Sequence, residues 1–323
     1  MPTAIITNGR SAVDVIKAAN LGDMVMSWDD VLHDGPVPQT NRLEELDDIR
    51  GAFLDTLGGW NDGVAPARFA ARREQISTLG QYETIELWFE HDLYDQLQLL
   101  QILDLLHDRD GLYLVQTDRY LGHSTPAMIA EFAAARQPVN DAQRQLAQHA
   151  WASFRQPTPE AWAGLLHEIT SALPYLAGSV ERLLQDLPAP GTGLARTQLQ
   201  ILQAITAGAA QPHKLFRAVQ ALEEAHFMGD LSFWRWLDNL NFTTKPVIAG
   251  LPPGGLAAHQ GQGAVNLYLT STVQLTAFGQ DLLAGHGDFT AQNPVDHWLG
   301  GTHVTNENLW RWDSASRQLI APV

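Results

Sequence analysis

Residues 84–92 have the sequence TIELWFEHD, in which an apolar run meets a charged end. A run of this kind is typical of a β-strand that is covered on both faces, as in a parallel sheet. The leucine-rich stretch 93–106 that follows predicts a helix. A strand that passes through polar residues into a helix is the repeating unit of an α/β fold.

The same alternation of strand and helix extends on both sides of this stretch. We predict further strands at 3–7, 24–28 and 112–116. The helical patterns between them lie at 11–19, 42–57 and 66–79. This order implies right-handed crossovers and a parallel sheet flanked by helices. We therefore predict an α/β ligand-binding domain at residues 1–125.

The second half of the sequence is mostly helical. Residues 126–190 predict a helical connector that several prolines interrupt, and residues 187–193 (LPAPGTG) have the composition of a linker. Beyond it we predict helices near 195–206, 212–225, 232–240 and 277–284, and strands at 246–249 and 266–271. Three helices followed by a strand pair are the order of a winged helix. Residues 191–323 are therefore predicted to form a winged-helix-like domain.

Composition narrows the class of protein. The chain has 323 residues, of which 45% are hydrophobic and 17% are charged, and this indicates a globular protein with more than one domain. The formal net charge of −16 disfavours binding to nucleic acids and anionic membranes. The sequence contains no cysteine, which excludes disulfides and thiolate chemistry. Because we recognise neither a secretory signal nor a membrane span, we expect a cytoplasmic protein.

Several segments carry a resemblance to a bacterial family. Residues 7–11 read TNGRS, residues 28–38 read WDDVLHDGPVP, and residues 87–92 read LWFEHD. With these motifs the N-terminal part resembles the family called domain of unknown function 1835. Later pieces, such as WLGGTH at 298–303, are similar to the C-terminal part of such proteins. The family name implies no activity, so the resemblance supports the domain layout alone.

Polar residues follow each of the four predicted strands. In open parallel sheets, ligands bind beyond the carboxyl ends of the strands, where such residues meet. The four strand ends supply Asn8, Gly9 and Ser11, then Asp29, Asp30 and His33, then Glu90, His91 and Asp92, then Asp118, Arg119 and His123. We therefore predict a small-molecule pocket at this edge of the sheet.

One side of the pocket is predicted to hold an anion. Gly9 allows close approach of the backbone, and Asn8 and Ser11 stand at the start of a helix, whose N-terminus attracts negative charge. Arg50 could pair with a phosphate or a carboxylate. The alternatives are that residues 8–9 form only a tight turn, that Ser11 caps the helix in a capping box with Asp14, and that Arg50 is solvated.

His91 is the predicted acid or base. It lies between two carboxylates, which would raise the pKa of its imidazole, with Glu90 or Asp30 orienting the ring. Asp92 and Asp95 also have the spacing of a helix N-cap and its third residue. The remaining candidates for ligand binding are His33, Asp92, Gln96 and His123. For His33 the alternative is a buried imidazole bonded to a carbonyl group.

Metal binding is not predicted, although the residue types would allow it. A set of two histidines and one carboxylate is conceivable among Asp30, His33, Glu90, His91, Asp92 and His123. The spacings H-x-x-x-H and H-E-x-x-H do not occur in the sequence. The sequence indicates no particular cofactor, and it leaves the oligomeric state open.

The predicted winged helix raises the question of a macromolecular partner. Its third helix, 232–240, reads SFWRWLDNL and holds one arginine among apolar residues. A helix that reads DNA would be basic and polar, so this one is predicted to be a packing surface. The segment 298–303 is expected to complete the C-terminal core, and the alternative is a lid over another domain.

These features favour a small-molecule enzyme of hydrolase or transferase type that acts on an anionic substrate, for example one bearing a phosphate. The alternative is a non-catalytic, ligand-sensing protein whose C-terminal domain binds a protein partner, with DNA regulation as a weaker third hypothesis. The exposure of Phe233, Trp234 and Trp236 separates the first two hypotheses, since exposed rings would indicate a partner surface.

Overall fold

A five-stranded sheet forms the centre of the N-terminal part. The structure is a computed structural model that describes residues 2–57, 64–259 and 261–322. The strands of this sheet are β1 Thr3–Thr7, β2 Met24–Ser27, β3 Thr84–Glu90, β4 Leu112–Thr117 and β5 Gln137–Pro138. Their order is β2-β1-β3-β4-β5, in which the first four are parallel and β5 pairs antiparallel with β4. The prediction of an α/β arrangement with a mainly parallel sheet is confirmed.

Helices connect and cover the strands. They are α1 Arg10–Ala18, α2 Leu43–Thr56, α3 Ala65–Ser77, α4 Leu93–Leu105, α5 Pro126–Ala134, α6 Asp141–Phe154, α7 Glu160–Gly164 and α8 Leu176–Leu184. Among the residues that the structure describes, none of the helices is long and apolar enough to cross a membrane.

Apolar side chains of successive strand residues fill both faces of the sheet. On one face, Ile5 and Trp88 share a hydrophobic cluster with Ile16 of α1. On the other face, Ile6 and Leu87 belong to the core that α4 completes. Burying an aliphatic side chain of this size contributes about 1.5–3 kcal/mol. Coverage of both faces explains the nearly continuous apolar run of β3.

The C-terminal half adds short strands and five further helices to the described chain. The helices are α9 Arg196–Thr206, α10 Pro212–Gln220, α11 Asp230–Asn241, α12 Gln262–Thr270 and α13 Ala277–Leu283. The strands are β6 Ile248–Ala249, β7 Gln274–Leu275, β8 Asp296–Leu299, β9 Thr302–Thr305, β10 Arg311–Asp313 and β11 Gln318–Ile320. Helix α10 ends at Gln220, five residues before the end predicted for the helix at 212–225.

One predicted strand is wrong. Residues 266–270 lie in α12, and β6 pairs instead with the two-residue β7. Val265 and Tyr268 are both buried three positions apart, which places them on one face of a helix. The Tyr268 hydroxyl group also donates a hydrogen bond of 2.8 Å to the Asp238 carboxylate of α11. These tertiary contacts override the strand-like composition of the segment.

One hydrophobic cluster runs through both halves of the chain. Its members include Leu97 of α4, Trp162 of α7, Leu202 of α9, Phe233 of α11 and Trp312 of β10. Because the cluster is continuous, the N-terminal sheet and the C-terminal helices share a core.

The turn between β8 and β9 packs against the N-terminal half. The Val37 amide donates a hydrogen bond of 2.8 Å to the Gly300 carbonyl oxygen. Gly300 has a φ of 58°, and a Cβ atom there would lie 2.0 Å from the carbonyl oxygen of Phe154. At Gly301 a Cβ atom would lie 2.1 Å from the carbonyl oxygen of Arg155. The segment 298–303 thus does more than complete the C-terminal core, because it also closes against α6.

Candidate functional site

A cavity of about 320 Å³ lies at the carboxyl ends of β1 and β3. We call it the acidic cavity, because Glu90, Asp92 and Asp95 line it together with Asn8. The other residues used below that line it are Tyr94, Tyr120, His226, Phe227 and Met228. Its position agrees with the general rule that parallel sheets bind ligands beyond the ends of their strands.

The turn from β3 into α4 builds the acidic wall. Asp92 is the N-cap of α4, and its Oδ1 atom accepts a hydrogen bond of 3.2 Å from the Asp95 amide. Asp95 in turn accepts a short hydrogen bond from the Glu90 amide. The Gln96 side chain donates to the Glu90 carbonyl oxygen over 2.6 Å. The capping roles predicted for Asp92 and Asp95 are therefore present, and they orient the carboxyl groups.

Asn8, at the end of β1, joins two of these carboxyl groups. Its Nδ2 atom donates to Glu90 Oε1 over 3.1 Å and to Asp95 Oδ1 over 2.8 Å. Its Oδ1 atom accepts from the Gly9 amide over 2.6 Å. The Leu121 amide donates to Glu90 Oε1 over 2.7 Å. All of these donors are neutral amides, so they satisfy the oxygens without neutralising their charge.

Burial makes the three carboxyl groups hard to ionise. Their exposed fractions are 4% for Glu90, 3% for Asp92 and 0% for Asp95. Burial raises the pKa of Asp92 to about 7, and the neighbouring Glu90 carboxylate adds to the effect. The pKa values of Glu90 and Asp95 are raised as well, again mainly by burial. All three acids thus have pKa values above the ordinary range, and Asp92 retains a proton in part of the molecules near neutral pH.

An aromatic cluster adjoins the acidic cavity, and two of its members, Tyr120 and His226, line it. The rings of Tyr120 and His226 are stacked, with their centroids 3.8 Å apart and their planes at 20°. The ring of His91 lies 5.5 Å from Tyr120, and that of His123 lies 6.1 Å away. Burial lowers the pKa of His226, and the nearby His123 and His91 lower it further. A neutral His226 imidazole thus faces the same cavity as the carboxyl groups.

His91 does not have the environment that its sequence neighbours suggested. Its ring packs against Tyr120 and Tyr175, whereas Glu90 and Asp92 line the cavity. Burial lowers the pKa of His91, and the opposing effect of Asp118 is smaller. The expectation of a raised pKa is therefore wrong, because desolvation outweighs the carboxylate.

His33 is buried behind the cavity wall. Its ring centroid lies 4.9 Å from that of Phe227 and 6.0 Å from that of Tyr94, and both rings line the cavity. Neither ring nitrogen has a hydrogen-bond partner among the described residues. Burial lowers the pKa of His33 to about 4, so the imidazole is neutral at pH 7. The alternative for His33, a hydrogen bond to a backbone carbonyl group, is therefore not formed among the described residues, and His33 is not a lining residue of the cavity.

Arg50 and Asp30 form a fully buried ion pair with an N–O distance of 3.0 Å. The other guanidinium hydrogens are donated to the carbonyl oxygens of Val31, Asp34 and Pro36. All five N–H groups of Arg50 are thus used within the protein. The pair rigidifies the loop after β2, and the guanidinium has no donor left for a substrate anion. Asp30, bound in this pair, is not a lining residue of the cavity.

The start of α1 also differs from the prediction. The helix begins at Arg10 with Gly9 as its N-cap and without a side-chain cap, so the capping box of Ser11 with Asp14 is wrong. Ser11 lies in the first turn of α1. A Cβ atom added at Gly122 would lie 2.9 Å from the Cβ atom of Ser11. Ser11 is otherwise exposed, and it is not a lining residue of the acidic cavity. Gly9 has an extended backbone with φ of −151°, which other residues can also adopt.

Several residues of the site are not among those predicted from the sequence. Asp95 is predicted only as a capping residue, although it follows Glu90 by five positions, in the turn where the polar residues cluster. Tyr120 lies between the predicted polar residues Arg119 and His123, but it is not itself among the predicted site residues. His226 and Phe227 come from a loop more than 100 positions away, and no pattern in the sequence links that loop to the sheet.

The three carboxyl groups also form the one cluster of potential metal ligands found in the described part of the chain. One oxygen atom from each of Glu90, Asp92 and Asp95 lies within 4.8 Å of the others. Oxygen ligands of this kind suit hard divalent cations such as Mg²⁺ and Ca²⁺. The set contains no histidine, so it differs from the two-histidine arrangement considered from the sequence.

Comparison of the chain with protein-family models and with curated proteins finds no match. The resemblance to the family called domain of unknown function 1835 therefore stays a prediction.

Proposed function

We propose that the protein is a small-molecule enzyme of hydrolase or transferase type that uses general acid–base catalysis in the acidic cavity. The observation that carries the proposal is the convergence of Glu90, Asp92 and Asp95 on a cavity at the end of a parallel sheet. Clusters of acids with raised pKa values are more common at active sites than elsewhere in proteins.

Asp92 is the proposed acid. Because its pKa is about 7, the Asp92 carboxyl group carries a proton in a large share of the protein molecules at neutral pH. A carboxylic acid whose pKa lies near the working pH donates a proton efficiently. An oxygen atom of Glu90 lies within 4.8 Å of one of Asp92, and two adjacent buried carboxylates do not both ionise readily.

His226 is the proposed base, in place of His91. It lines the cavity, and its lowered pKa keeps the imidazole neutral and able to accept a proton at pH 7. Its stacking on Tyr120 fixes the orientation of the ring. Burial raises the pKa of Asp92 and lowers that of His226, so at neutral pH the first can donate a proton and the second can accept one.

The substrate proposed here is neutral or cationic, not anionic. Arg50 has no free donor, and neither lysine nor arginine is among the described residues that line the cavity. The rest of the lining is mixed, because apolar residues such as Phe227 and Met228 lie beside the polar Gln220, Asp230 and Ser232. A hydroxyl or amino group of the substrate would contact the acids, and its apolar part would contact the apolar residues.

A second candidate function is divalent-cation binding by the same oxygens. Three carboxyl oxygens within 4.8 Å of one another favour it. A cation would stabilise the ionised forms and so lower the pKa values that burial raises. In that case an anionic substrate could bind through the metal, and titration with Mg²⁺ or Mn²⁺ would displace protons from the site.

The C-terminal half is proposed to be a winged-helix variant in which α12 is inserted between β6 and β7. Phe233 and Trp234 of α11 are buried, and Trp236 packs against His297 at a centroid distance of 5.2 Å. Rings in these positions support a packing role and disfavour the hypothesis of a protein-binding scaffold. We keep the cytoplasm as the proposed location, because a chain without cysteine has no need of an oxidising compartment.

The test is turnover of p-nitrophenyl esters and glycosides between about pH 5 and about pH 9, with p-nitrophenyl phosphate as an anionic probe that should react only if the site binds a metal ion. We expect a bell-shaped profile, with an acid limb from His226 and an alkaline limb from Asp92 near pH 7. Asp92→Asn and Glu90→Gln should each lower kcat/KM by about 10²-fold or more. Asp108→Asn is the matched control, because that side chain is 93% exposed and far from the sheet's carboxyl edge.

Two results would contradict the enzyme proposal. One is turnover at the wild-type rate in both cavity variants. The other is a lack of turnover with every probe, which would favour a non-catalytic, ligand-sensing protein. A rate that depends on added Mg²⁺ would instead support the second candidate.

A further inference from the structure

A second cavity, of about 240 Å³, lies between α11 and the segment that leads into β8. We call it the C-terminal cavity. Its walls include Trp236 and Asn239 of α11, Thr243 just after this helix, and His297 of β8. Phe242, which is 45% exposed, stands at its opening. The cavity is outside the proposed active site, although Ser232 in the first turn of α11 lines both.

Two buried polar atoms of this cavity lack a hydrogen-bond partner among the described residues. They are Nε2 of His297 and Oγ1 of Thr243. Buried polar atoms in folded proteins nearly always have a partner, because leaving one unpaired costs free energy. Both residues line the same cavity, so a bound molecule or ordered water inside it would supply the missing partners.

The rest of the wall is suited to a flat, apolar ring. Trp236, Phe242 and Phe289 supply three aromatic side chains. The ring of Trp236 lies 5.2 Å from that of His297, so an aromatic face and an unpaired ring nitrogen are adjacent. Aromatic walls with a few polar atoms are typical of sites for small molecules.

The charged groups around the C-terminal cavity are already paired. Arg235 forms an ion pair with Asp34. Asp186 accepts hydrogen bonds from the Thr197 amide and hydroxyl groups, and it pairs with Arg182 over 3.0 Å. His297 is uncharged at neutral pH, because burial lowers its pKa. Asp296 lies 2.7 Å from Nε2 of His303, so each of the four charged residues that line the cavity (Asp34, Asp186, Arg235 and Asp296) has a partner within the protein.

From these contacts we infer that the C-terminal cavity is a second binding site, specific for a neutral, planar heteroaromatic molecule of about nucleobase size. The ring of the ligand stacks on Trp236. Its heteroatoms form hydrogen bonds with His297 Nε2 and Thr243 Oγ1. The volume of about 240 Å³ falls just under the range of roughly 300–1,000 Å³ that drug-sized ligands occupy, which sets the upper limit on size.

The test is calorimetric titration of the full chain with adenine, uracil and nicotinamide, with benzoate and benzylamine as charged probes of similar size. We expect at least one neutral heteroaromatic probe to bind with a Kd below about 1 mM, and the charged probes to bind at least tenfold more weakly. Thr243→Val removes one polar atom at nearly constant volume and should weaken binding about tenfold. His297→Phe should do the same.

Thr244→Val is the matched control, because its side chain is exposed and next to Thr243 but does not line the cavity. It should leave Kd unchanged, and circular dichroism should show that all variants fold. Equal affinity in wild type, Thr243→Val and His297→Phe would overturn the inference, as would the failure of every neutral probe to bind. A crystal soaked in adenine that shows only ordered water on both atoms would also overturn it. Asp92→Asn should still bind the probe, which separates this site from the proposed active site.

Discussion

At the scale of the residue, Asp92 combines a structural and a chemical role. It caps α4, and its carboxyl group is one of the buried acids of the cavity. Its pKa in the folded protein, about 7, lies above the ordinary value of 3.8. The protonated form thus stabilises the folded protein below about pH 4, and this contribution is lost as the pH rises through 7.

Asp92→Asn should remove this pH dependence. Asparagine caps a helix as well as aspartate does, and it carries no charge to bury. At about pH 8 we expect the variant to have a free energy of unfolding higher by roughly 1–3 kcal/mol, with little difference at about pH 4. Urea denaturation at both pH values measures it, with Asp108→Asn as the exposed control. A difference that is the same at both pH values would contradict the raised pKa.

At the scale of the element, the end of β1 is fastened to the β3–α4 turn by one side chain. Asn8 donates hydrogen bonds to both Glu90 and Asp95. An amide is required there, because only a neutral donor satisfies two carboxyl groups without adding charge.

Asn8→Asp should therefore be destabilising. It replaces the donor by a fourth acid of nearly equal size, and the cost should be about 2–3 kcal/mol at neutral pH and less at about pH 4. Urea denaturation measures the change. Asn140→Asp is the control, since Asn140 caps α6 at the surface and aspartate serves equally well there. An Asn8→Asp protein as stable as the control variant would contradict the hydrogen-bonded link.

The elements that the sequence predicts well are those whose signal is local. The strand at 84–89 and the capping of α4 by Asp92 follow from short patterns, and so does the placement of polar residues at the sheet edge. Arg50 illustrates the limit, because its sequence neighbours give no sign that Asp30 and three carbonyl oxygens enclose it. His226 reaches the site only through tertiary packing. The prediction of a strand at 266–271 is wrong because of tertiary packing as well, since contacts with α11 favour a helix there.

At the scale of the whole molecule, the continuous core predicts that both halves unfold together. The β8–β9 turn is part of that connection, because Gly301 packs directly on the backbone of Arg155. Gly301→Ala would place a methyl group 2.1 Å from that carbonyl oxygen, which forces the two segments apart.

We expect Gly301→Ala to lower the free energy of unfolding by about 1–3 kcal/mol while a single transition is retained. Gly178→Ala is the control, since a Cβ atom there meets nothing within 4 Å and alanine favours the α8 helix. Thermal unfolding of both variants, monitored by circular dichroism and by tryptophan fluorescence, measures the stability change and the number of transitions. Two separate transitions in the wild type would contradict the shared core.

The most direct test of the acidic cavity is a ¹³C NMR titration of the side-chain carboxyl groups. The structure predicts that Asp92 titrates near pH 7 and that Glu90 and Asp95 also titrate above their ordinary pKa values. The exposed carboxyl group of Asp108 serves as the internal reference. If all three cavity acids titrated near pH 4, as exposed carboxyl groups do, they would not form the buried acid cluster on which the proposed catalysis depends.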